Sequence, residues 1–422
     1  MLEVSQIQAN RQQTIDALKK RHLDAEQSVN DVIELDDKRK HAQFTLDQNL
    51  GEAKKVASEI GRMMKDGRHE EANFVKEKTS ELKKYNQELD QELKQIEVDL
   101  RNALAAIPNA PHESVAAGRN SEDNETIRSW GEAETAAHAT PHWDLAKTYN
   151  LIDFELGVKI SGAGFPVYMG KGAKLQRSLI QFFLDQGEEA GYTEVIPPHL
   201  VNAESGFGTG QLPDKDGQMY HAVEDDLYLI PTGEVPITNI YRDVIVADEV
   251  LPIKTIGYTP CFRREAGSYG KEVRGLNRLH QFDKVEIVQL SRPEESYAAL
   301  EIMVKHVENL LQQLELPYRV LRLCAGDMGF TAALTYDLEV YSKGQGRWLE
   351  VSSVSNFETY QANRMKLRIK SKDGKKRFAH TLNGSALALP RILAAVLENN
   401  FDGNEIKIPK CLIPYTKFES IS

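Results

Sequence analysis

The sequence predicts an α+β protein: a long antiparallel helical hairpin, followed by an antiparallel sheet surrounded by helices. Three observations carry this expectation. Residues 27–106 hold no proline and only three glycines, at 51, 61 and 67, and their apolar residues recur in steps of three and four, the seam of a coiled coil. Beyond residue 141, short strand-like runs follow one another without regular β-α-β alternation, which favours antiparallel pairing. From Tyr258 to Leu290, two strand-like runs flank a tip rich in glycine and charge, the pattern of a hairpin with a long basic loop.

Composition sets the outer bounds. At 422 residues, two domains or a little more are expected. Apolar residues make up 41% of the chain, enough for a sizeable core. The formal net charge of -11 argues against a protein that coats nucleic acid by bulk charge, and leaves room for a local basic surface. Three cysteines, Cys261, Cys324 and Cys411, lie far apart without CxxC spacing, so neither a disulfide framework nor a cysteine zinc site is expected. The N-terminus lacks an apolar stretch of signal-peptide length, and no 18-residue apolar run occurs. The expectation is a soluble cytoplasmic protein with no membrane partner.

Residues 1–25 read as a short amphipathic helix packed on another element. The seam of the arm runs through Leu46, Leu50, Ala53, Val56/Ala57, Ile60 and Met63/Met64, then resumes at Ala72, Val75, Thr79, Leu82, Leu89, Leu93, Ile96, Leu100 and Leu104. Asp66-Gly67 divides two halves of similar length, so the tip falls near Lys65–Arg68. A helix of about 35 residues is roughly 50 Å long at 1.5 Å per residue, too long for a compact core, so the arm projects. Taken alone it reads as a dimerisation coiled coil, because its interleaved lysines and acids suit any solvated coiled-coil face. Pro108 and Pro111 end the second helix and place a domain boundary near 108–115. Residues 116–140 read as a polar surface connection. Helices follow at Leu145–Leu156, Lys171–Gly191, Glu294–Leu314, Glu358–Ile369 and Ser385–Asn399. Strands are expected at Glu194–Ile196, Leu227–Ile230, Ile253–Phe262, Leu279–Leu290, Tyr318–Leu323, Ala333–Tyr341, Arg347–Val354 and Arg377–Leu382.

Strand alternation decides which side chains can meet. Arg263 and Glu265 would share a face of the first hairpin strand, and Phe282 and Glu286 a face of the second. An arginine that forks onto phosphate, a ring that stacks on a base and an acid that holds an ammonium suit a nucleotide beside an amine. Equally, Phe282 could be core and Arg263–Glu265 a surface ion pair. Thr232-Gly233-Glu234 would place a hydroxyl and an acid on one face if the preceding strand continued. Glu350, inside an otherwise apolar run, needs a partner: a divalent cation shared with ATP phosphates, or a buried salt bridge. Glu350 and Ser353 differ in parity, so both reach one ligand only if the strand bulges or ends between them. Asn383 and Ser385 could cap the last helix, with Arg391 two turns further on; a simple capped, packed helix is the alternative. Neither GxxxxGK[ST] nor GxGxxG is present, so ATP would bind on a sheet through arginines.

These pieces coincide in one resemblance. IPNAPHESV looks like the junction between arm and catalytic domain of bacterial and eukaryotic seryl-tRNA synthetases. GYTEVIPPHLV is similar to motif 1 of class II aminoacyl-tRNA synthetases, which builds their dimer interface. CFRREAG with RGLNRLHQFDKVE looks like motif 2, and GSALALPR like motif 3. TGE and LEVSSVSN are similar to the serine and ATP segments. The match runs along nearly the whole chain, and its specificity lies in the order and spacing of the segments.

The resemblance implies a tRNA-binding domain with the coiled-coil arm at 1–110 and a class II catalytic domain, with a six- or seven-stranded antiparallel sheet, at 111–422. It implies a homodimeric serine–tRNA ligase using ATP, L-serine, Mg²⁺ and tRNA(Ser), and by family precedent tRNA(Sec) as well. Thr232, Gly233, Glu234, Glu286 and Ser385 would bind serine, Glu286 holding the ammonium. Arg263 would bridge the α-phosphate and the serine carboxylate, and Arg278 would take the outer phosphates. Glu265 would contact adenine, with Phe282 and Arg391 on its two faces; Arg263, Arg278 and Arg391 would be the catalytic cations. Arg264, Val351 and Ser352 complete the ATP segments, and Glu350 with Ser353 would bind the metal. The loop Ala266–Leu276 would order around ATP or the tRNA acceptor end. Departures are mild: Arg264 stands where a small residue is common, and Leu389-Pro390 precede the motif 3 arginine. No added cysteine and histidine set suggests the zinc-dependent archaeal form. A serine-activating paralogue that loads a carrier protein, and a non-catalytic tRNA-binding or scaffold protein, are the rival readings. The retained arm argues against the first, and Arg263, Glu265, Glu286, Glu350 and Arg391 against the second.

Overall fold

The structure is a computed structural model and describes residues 1–134, 138–214, 217–265 and 274–422. Most of the loop expected to order around the nucleotide, 266–273, lies outside the described residues. The chain divides into two compact units, Met1–Pro108 and Asn109–Ser422.

The first unit is helical. Residues 1–25 form two helices, α1 (Val4–Ala9) and α2 (Arg11–Lys19), where one is expected; the backbone leaves helical geometry at Asn10 (φ -127°, ψ 40°). The arm is α3 (Glu26–Lys65) and α4 (His69–Ala106), 40 and 38 residues long, each about 60 Å at 1.5 Å per residue. Gly67 supplies the left-handed residue of the turn (φ +76°). Ile7, Ile15 and Leu18 join Val29, Val32, Leu100, Leu104 and Ile107 in one core at the arm's base. A smaller layer follows at Ala42, Leu46, Leu89 and Leu93. The expected seam weakens beyond it: Leu50 and Met64 are both 45% exposed. Two helices without a third element cover only part of such side chains.

The second unit is built on an eight-stranded sheet. Its strands are β1 (Glu125–Trp130), β2 (Thr193–Glu194), β3 (Ile253–Phe262), β4 (Gln281–Ser291), β5 (Tyr318–Arg322), β6 (Leu334–Ser342), β7 (Arg347–Asn356) and β8 (His380–Ala388). Their order is β1-β5-β6-β7-β8-β4-β3-β2. Pairing is antiparallel except at the edge, where the two-residue β2 runs parallel to β3. Strand β1 falls inside the stretch read as a surface connection. It is an edge strand with no buried residue, so it carries no apolar alternation to betray it.

The principal helices are α5 (His142–Thr148), α6 (Phe154–Ile160), α7 (Gly170–Glu189), α8 (Ala203–Thr209), α9 (Glu234–Asn239), α10 (Ser296–Gln313), α11 (Tyr360–Met365) and α12 (Leu389–Asn399). The helix expected over Leu145–Leu156 is thus two. Asn150 adopts φ +53°, and Asp153 caps α6 by accepting from the Leu156 N–H at 2.7 Å. The helix expected over Glu358–Ile369 ends at Met365, and Arg368–Lys370 pair as a strand. Leu175, Leu179 and Phe183 of α7, Met303 and Val307 of α10, and Ile392 and Leu393 of α12 share one core with Val285 and Ile287 of β4. With odd positions of β4 committed to that core, its even positions Phe282, Lys284 and Glu286 turn to the opposite face. Among the described residues no helix is long and apolar enough to cross a membrane.

Candidate active site

Strands β3 and β4 form the expected hairpin, in unbroken register from Ile253↔Leu290 to Phe262↔Gln281. Its central acid, Glu286, lies directly opposite Ser385 of β8. Asn383 and Ser385 therefore sit within a strand and do not cap α12, which starts at Leu389 with Pro390 in its first turn. Both are buried, and two positions apart on one strand they share a face. The Asn383 Nδ2 is buried without a hydrogen bond of ordinary geometry among the described residues, and the Asn383 side chain acts on the Glu234 carboxylate.

Thr232 and Glu234 reach this face by a turn rather than along a strand. The strand ends at Leu229, and Glu234 opens α9. Gly233 makes the approach possible: a Cβ there would lie 3.2 Å from the Glu286 Cβ and 3.1 Å from the Thr259 Oγ1. The Thr232 hydroxyl accepts from the Glu234 N–H at 3.2 Å and from the Lys284 ammonium at 2.7 Å, and donates to the Glu286 carboxylate at 3.3 Å. Lys284 also pairs with Glu286 at 2.6 Å, with side-chain exposures of 8% and 2%. Sequence reasoning missed Lys284. Its signal was parity, since it stands between Phe282 and Glu286 on their own face. Glu234 is buried and accepts from the Gln361 Nε2 at 2.6 Å. Burial, and then the neighbouring Glu286 charge, push its carboxyl up to about 7.

The other end of the face is arginine-lined. Strand β3 stops at Phe262, so Arg263 and Glu265 are not alternating strand positions, and Glu265 is left-handed (φ +47°). The Arg263 guanidinium still lies 5.2 Å from the Phe282 ring centre, and its Nε donates to the Pro231 carbonyl at 3.1 Å. Glu265 pairs with Arg278 at 2.8 Å. Arg264 stacks over Tyr220 at 6.0 Å. Arg391 donates from Nη1 to the Glu350 carbonyl at 2.7 Å and from Nε to the Asn277 carbonyl at 3.2 Å, with the Glu350 carboxylate 3.5 Å away.

Glu350 is half-exposed rather than buried, its side chain 49% accessible, so no buried salt bridge is needed to explain it. The parity problem of Glu350 and Ser353 is solved by a bulge. Leu338 pairs with Ser352 and Glu339 with Glu350, leaving Val351 as the extra residue. Ser353 and Glu350 consequently share a face, opposite Asp337 and Glu339 of β6. The Ser352 hydroxyl donates to the Ser385 carbonyl at 2.6 Å and ties this strand to the pocket. Asp337, a second residue missed by sequence reasoning, has one carboxylate oxygen buried without a hydrogen-bond partner among the described residues. Burial, and then the Glu350 charge, hold its carboxyl well above the usual range, opposed by a Ser353 hydrogen bond. Hard oxygen donors with one oxygen unsatisfied fit a small divalent cation. Among the described residues no three His, Cys, Asp or Glu side chains assemble to hold a metal. Among the described residues, the Asp337 and Glu350 carboxylates with the Ser353 hydroxyl are the donors best placed for it.

One sheet face thus joins a buried, paired polar pocket to a row of partly exposed arginines beside an acidic notch. Comparison with known proteins agrees along the whole chain. A family model described as the seryl-tRNA synthetase N-terminal domain matches residues 1–111, and one described as the tRNA synthetase class II core domain (G, H, P, S and T) matches residues 219–400. The chain is similar to the serine–tRNA ligase of Salinibacter ruber, with 47% identity covering 100% of this chain and 99% of that one. It is also 47% identical to the serine–tRNA ligase of Methylacidiphilum infernorum, covering 99% of this chain and 100% of the relative. The crystal structure of seryl-tRNA synthetase from Pyrococcus horikoshii complexed with ATP superposes with a TM-score of 0.92 at 35% identity, covering 100% of this chain and 99% of that one.

Proposed function

This chain belongs to the seryl-tRNA synthetase family, and we propose that it activates L-serine with ATP, giving seryl-adenylate and pyrophosphate, and then transfers serine to the 3′ end of tRNA(Ser). The observation that carries the proposal is the single sheet face on which a pocket for an amino acid meets arginines suited to a nucleotide. Serine docks with its ammonium at Glu286 and Thr232, beside Glu234. Its hydroxyl meets the buried Asn383 and Ser385, which share a face of β8. A site built to bond a hydroxyl rejects alanine strongly, because its own polar groups are otherwise left unpaired; steric limits exclude threonine.

The serine carboxylate attacks the α-phosphorus of ATP, so no side-chain nucleophile is required. Arg263 aligns the carboxylate and α-phosphate, and Arg278 takes the outer phosphates. Adenine lies between Phe282 and Arg391, with Glu265 at its edge and Arg264, Val351 and Ser352 around the nucleotide. Glu350, Ser353 and Asp337 would hold Mg²⁺, which when bound neutralises phosphate charge. The terminal ribose hydroxyl of tRNA then attacks the activated carbonyl.

Residues 1–110 serve as the tRNA-binding domain and 111–422 as the catalytic domain. The arm reads the long variable arm of tRNA(Ser) by shape and backbone contact, and by the same logic that of tRNA(Sec). Its two helices, 40 and 38 residues long, support an elongated reader. The motif 1 segment leaves Ile196 85% and Leu200 46% exposed, which supports a homodimer closing over that segment. The enzyme works in the cytoplasm. The test is pyrophosphate exchange into ATP with serine, alanine and threonine, followed by charging of tRNA. Serine-dependent exchange and charging are expected. No exchange would refute the activity, and exchange without charging would favour a carrier protein as acceptor. Deletion of 35–95 should leave exchange within a few-fold and abolish charging; surviving charging would remove the arm from tRNA recognition.

A further inference from the structure

A second buried polar network adjoins Arg391 and, among the described residues, shares no hydrogen bond with the serine-pocket groups. Its centre is His142, the first residue of α5, which is completely buried with Glu398 of α12. The Glu398 Oε1 accepts from the His142 backbone N–H at 2.9 Å and from its Nδ1 at 2.7 Å. On the far side of the ring, the Leu276 backbone N–H donates to Nε2 at 2.8 Å. A backbone N–H can only donate and a carboxylate can only accept. The ring therefore carries its proton on Nδ1 and offers Nε2 as an acceptor, an orientation set by Glu398.

The rest of the network closes on the same segment. The Ser342 hydroxyl and the Gln345 Nε2, the latter at 3.2 Å, also donate to Glu398. Asn277 Nδ2 donates to the Gln345 Oε1 at 3.0 Å. Gly275 must be glycine here: its φ is +69° and a Cβ would lie 2.2 Å from the His142 Nε2. The Arg274 guanidinium lies 4.7 Å over the ring of Trp143, the next residue of α5. Helix α12 grips the segment twice, since Arg391 Nε holds the Asn277 carbonyl seven residues, or two turns, before Glu398. All these contacts end one residue short of Arg278.

Burying a carboxylate and an imidazole is expensive for a fold that has ample apolar core nearby. What this pair secures is the backbone from which Arg278 projects. We propose that His142 and Glu398 are positioning residues for Arg278: a carboxylate–imidazole relay that fixes Arg274–Asn277 so that Arg278 meets the outer phosphates of ATP. The inference rests on the proposed synthetase activity and adds to it the groups that set one catalytic cation. When Arg391 leaves the Asn277 carbonyl for a nucleotide, the His142 bond still holds the segment.

The test uses the full-length enzyme, with ATP, serine and pyrophosphate as probes. His142→Leu should lower exchange kcat roughly 10²-fold, the loss expected for an ångström-scale misplacement, while the KM for serine stays within a few-fold. His142→Gln, whose Oε1 can still accept the Leu276 N–H, should recover most of that loss. Adding His142→Leu to Arg278→Ala should cost little beyond Arg278→Ala alone, because the relay acts through that arginine. Fully additive losses, or an unchanged kcat in a folded His142→Leu enzyme, would overturn the proposal. If His142→Leu fails to fold, Glu398→Gln carries the same cycle with Arg278→Ala, and His142→Gln remains the restored control. Nitrogen-15 NMR of the native enzyme gives a readout independent of activity: the proton of His142 should be on Nδ1, and finding it on Nε2 overturns the relay. Correct tautomer with no serine-dependent exchange would instead refute the synthetase reading.

Discussion

The proposed serine end and the proposed nucleotide end of the site are built on different principles, although one hairpin supplies both. At the serine end, Lys284 and Glu286 are 8% and 2% exposed and are already paired with each other and with Thr232. At the nucleotide end, Arg278 is 46% exposed and borrows Glu265, and Arg391 borrows two backbone carbonyls. A small zwitterion with one hydroxyl must be recognised by groups fixed beforehand, because it offers few contacts with which to reorganise a pocket. A triphosphate brings several charges, and long cations on partly exposed stems can exchange a weak partner for it. The serine end should therefore fail as a unit when one member is removed, and the nucleotide end should lose rate without losing structure.

The largest effect should come from Lys284→Met. It leaves Glu286 and Glu234 buried together with no cation, and removing one partner of a buried pair costs about 3–5 kcal/mol. Urea unfolding checks this; a loss below 1 kcal/mol would mean that the lysine is not integral to the pocket. Next is Arg263→Ala, expected to reduce exchange kcat about 10²–10³-fold, as for loss of a transition-state donor, with a much smaller change in the unfolding midpoint than Lys284→Met. Equal damage to folding and rate would erase the distinction between the two ends.

The smallest effect concerns Glu234, whose carboxyl lies near 7 against an ordinary value of 4.5. The folded state keeps this proton over a range where the unfolded chain has lost it. Stability from the group is full below about 4.5, is lost as pH rises to about 7, and is flat above. Glu234→Gln should remove that slope from urea unfolding. In the native enzyme the KM for serine should rise below pH 7, as the acid beside the ammonium becomes neutral. A KM that is flat through pH 7 would place Glu234 outside ammonium binding.

The sequence exposed the nucleotide end more fully than the serine end, for physical reasons. Arginines in a hairpin stand out against strand composition, so Arg263, Arg278 and Phe282 draw attention to a hairpin whose strand limits are nearly as expected. Parity alone required the strand to bulge or end between Glu350 and Ser353, and Val351 supplies a bulge. Parity misled where backbone left the strand: Thr232 and Glu234 arrive through a helical turn, and Glu265 through a left-handed residue. Ser385, expected on a helix, lies on a strand opposite Glu286, because its small neighbours suit a cap as well as a crowded strand. Lys284 and Asp337 were overlooked although each occupies a site-facing strand position. Edge strand β1 left no pattern to read. Helix lengths in the arm were legible from periodicity; the thinning of its core beyond Leu46 depends on what packs alongside.

That one end is fixed and the other exchanges partners is tested most directly by a crystal structure with a non-hydrolysable seryl-adenylate analogue and pyrophosphate. The account predicts that Lys284, Glu286 and Thr232 keep their mutual hydrogen bonds, with the ligand ammonium added at Glu286. Arg278 should leave Glu265 for phosphate, and Arg391 should leave Asn277 for the base. A complex in which Lys284 swings out of the pocket while both arginines retain their present partners would contradict it.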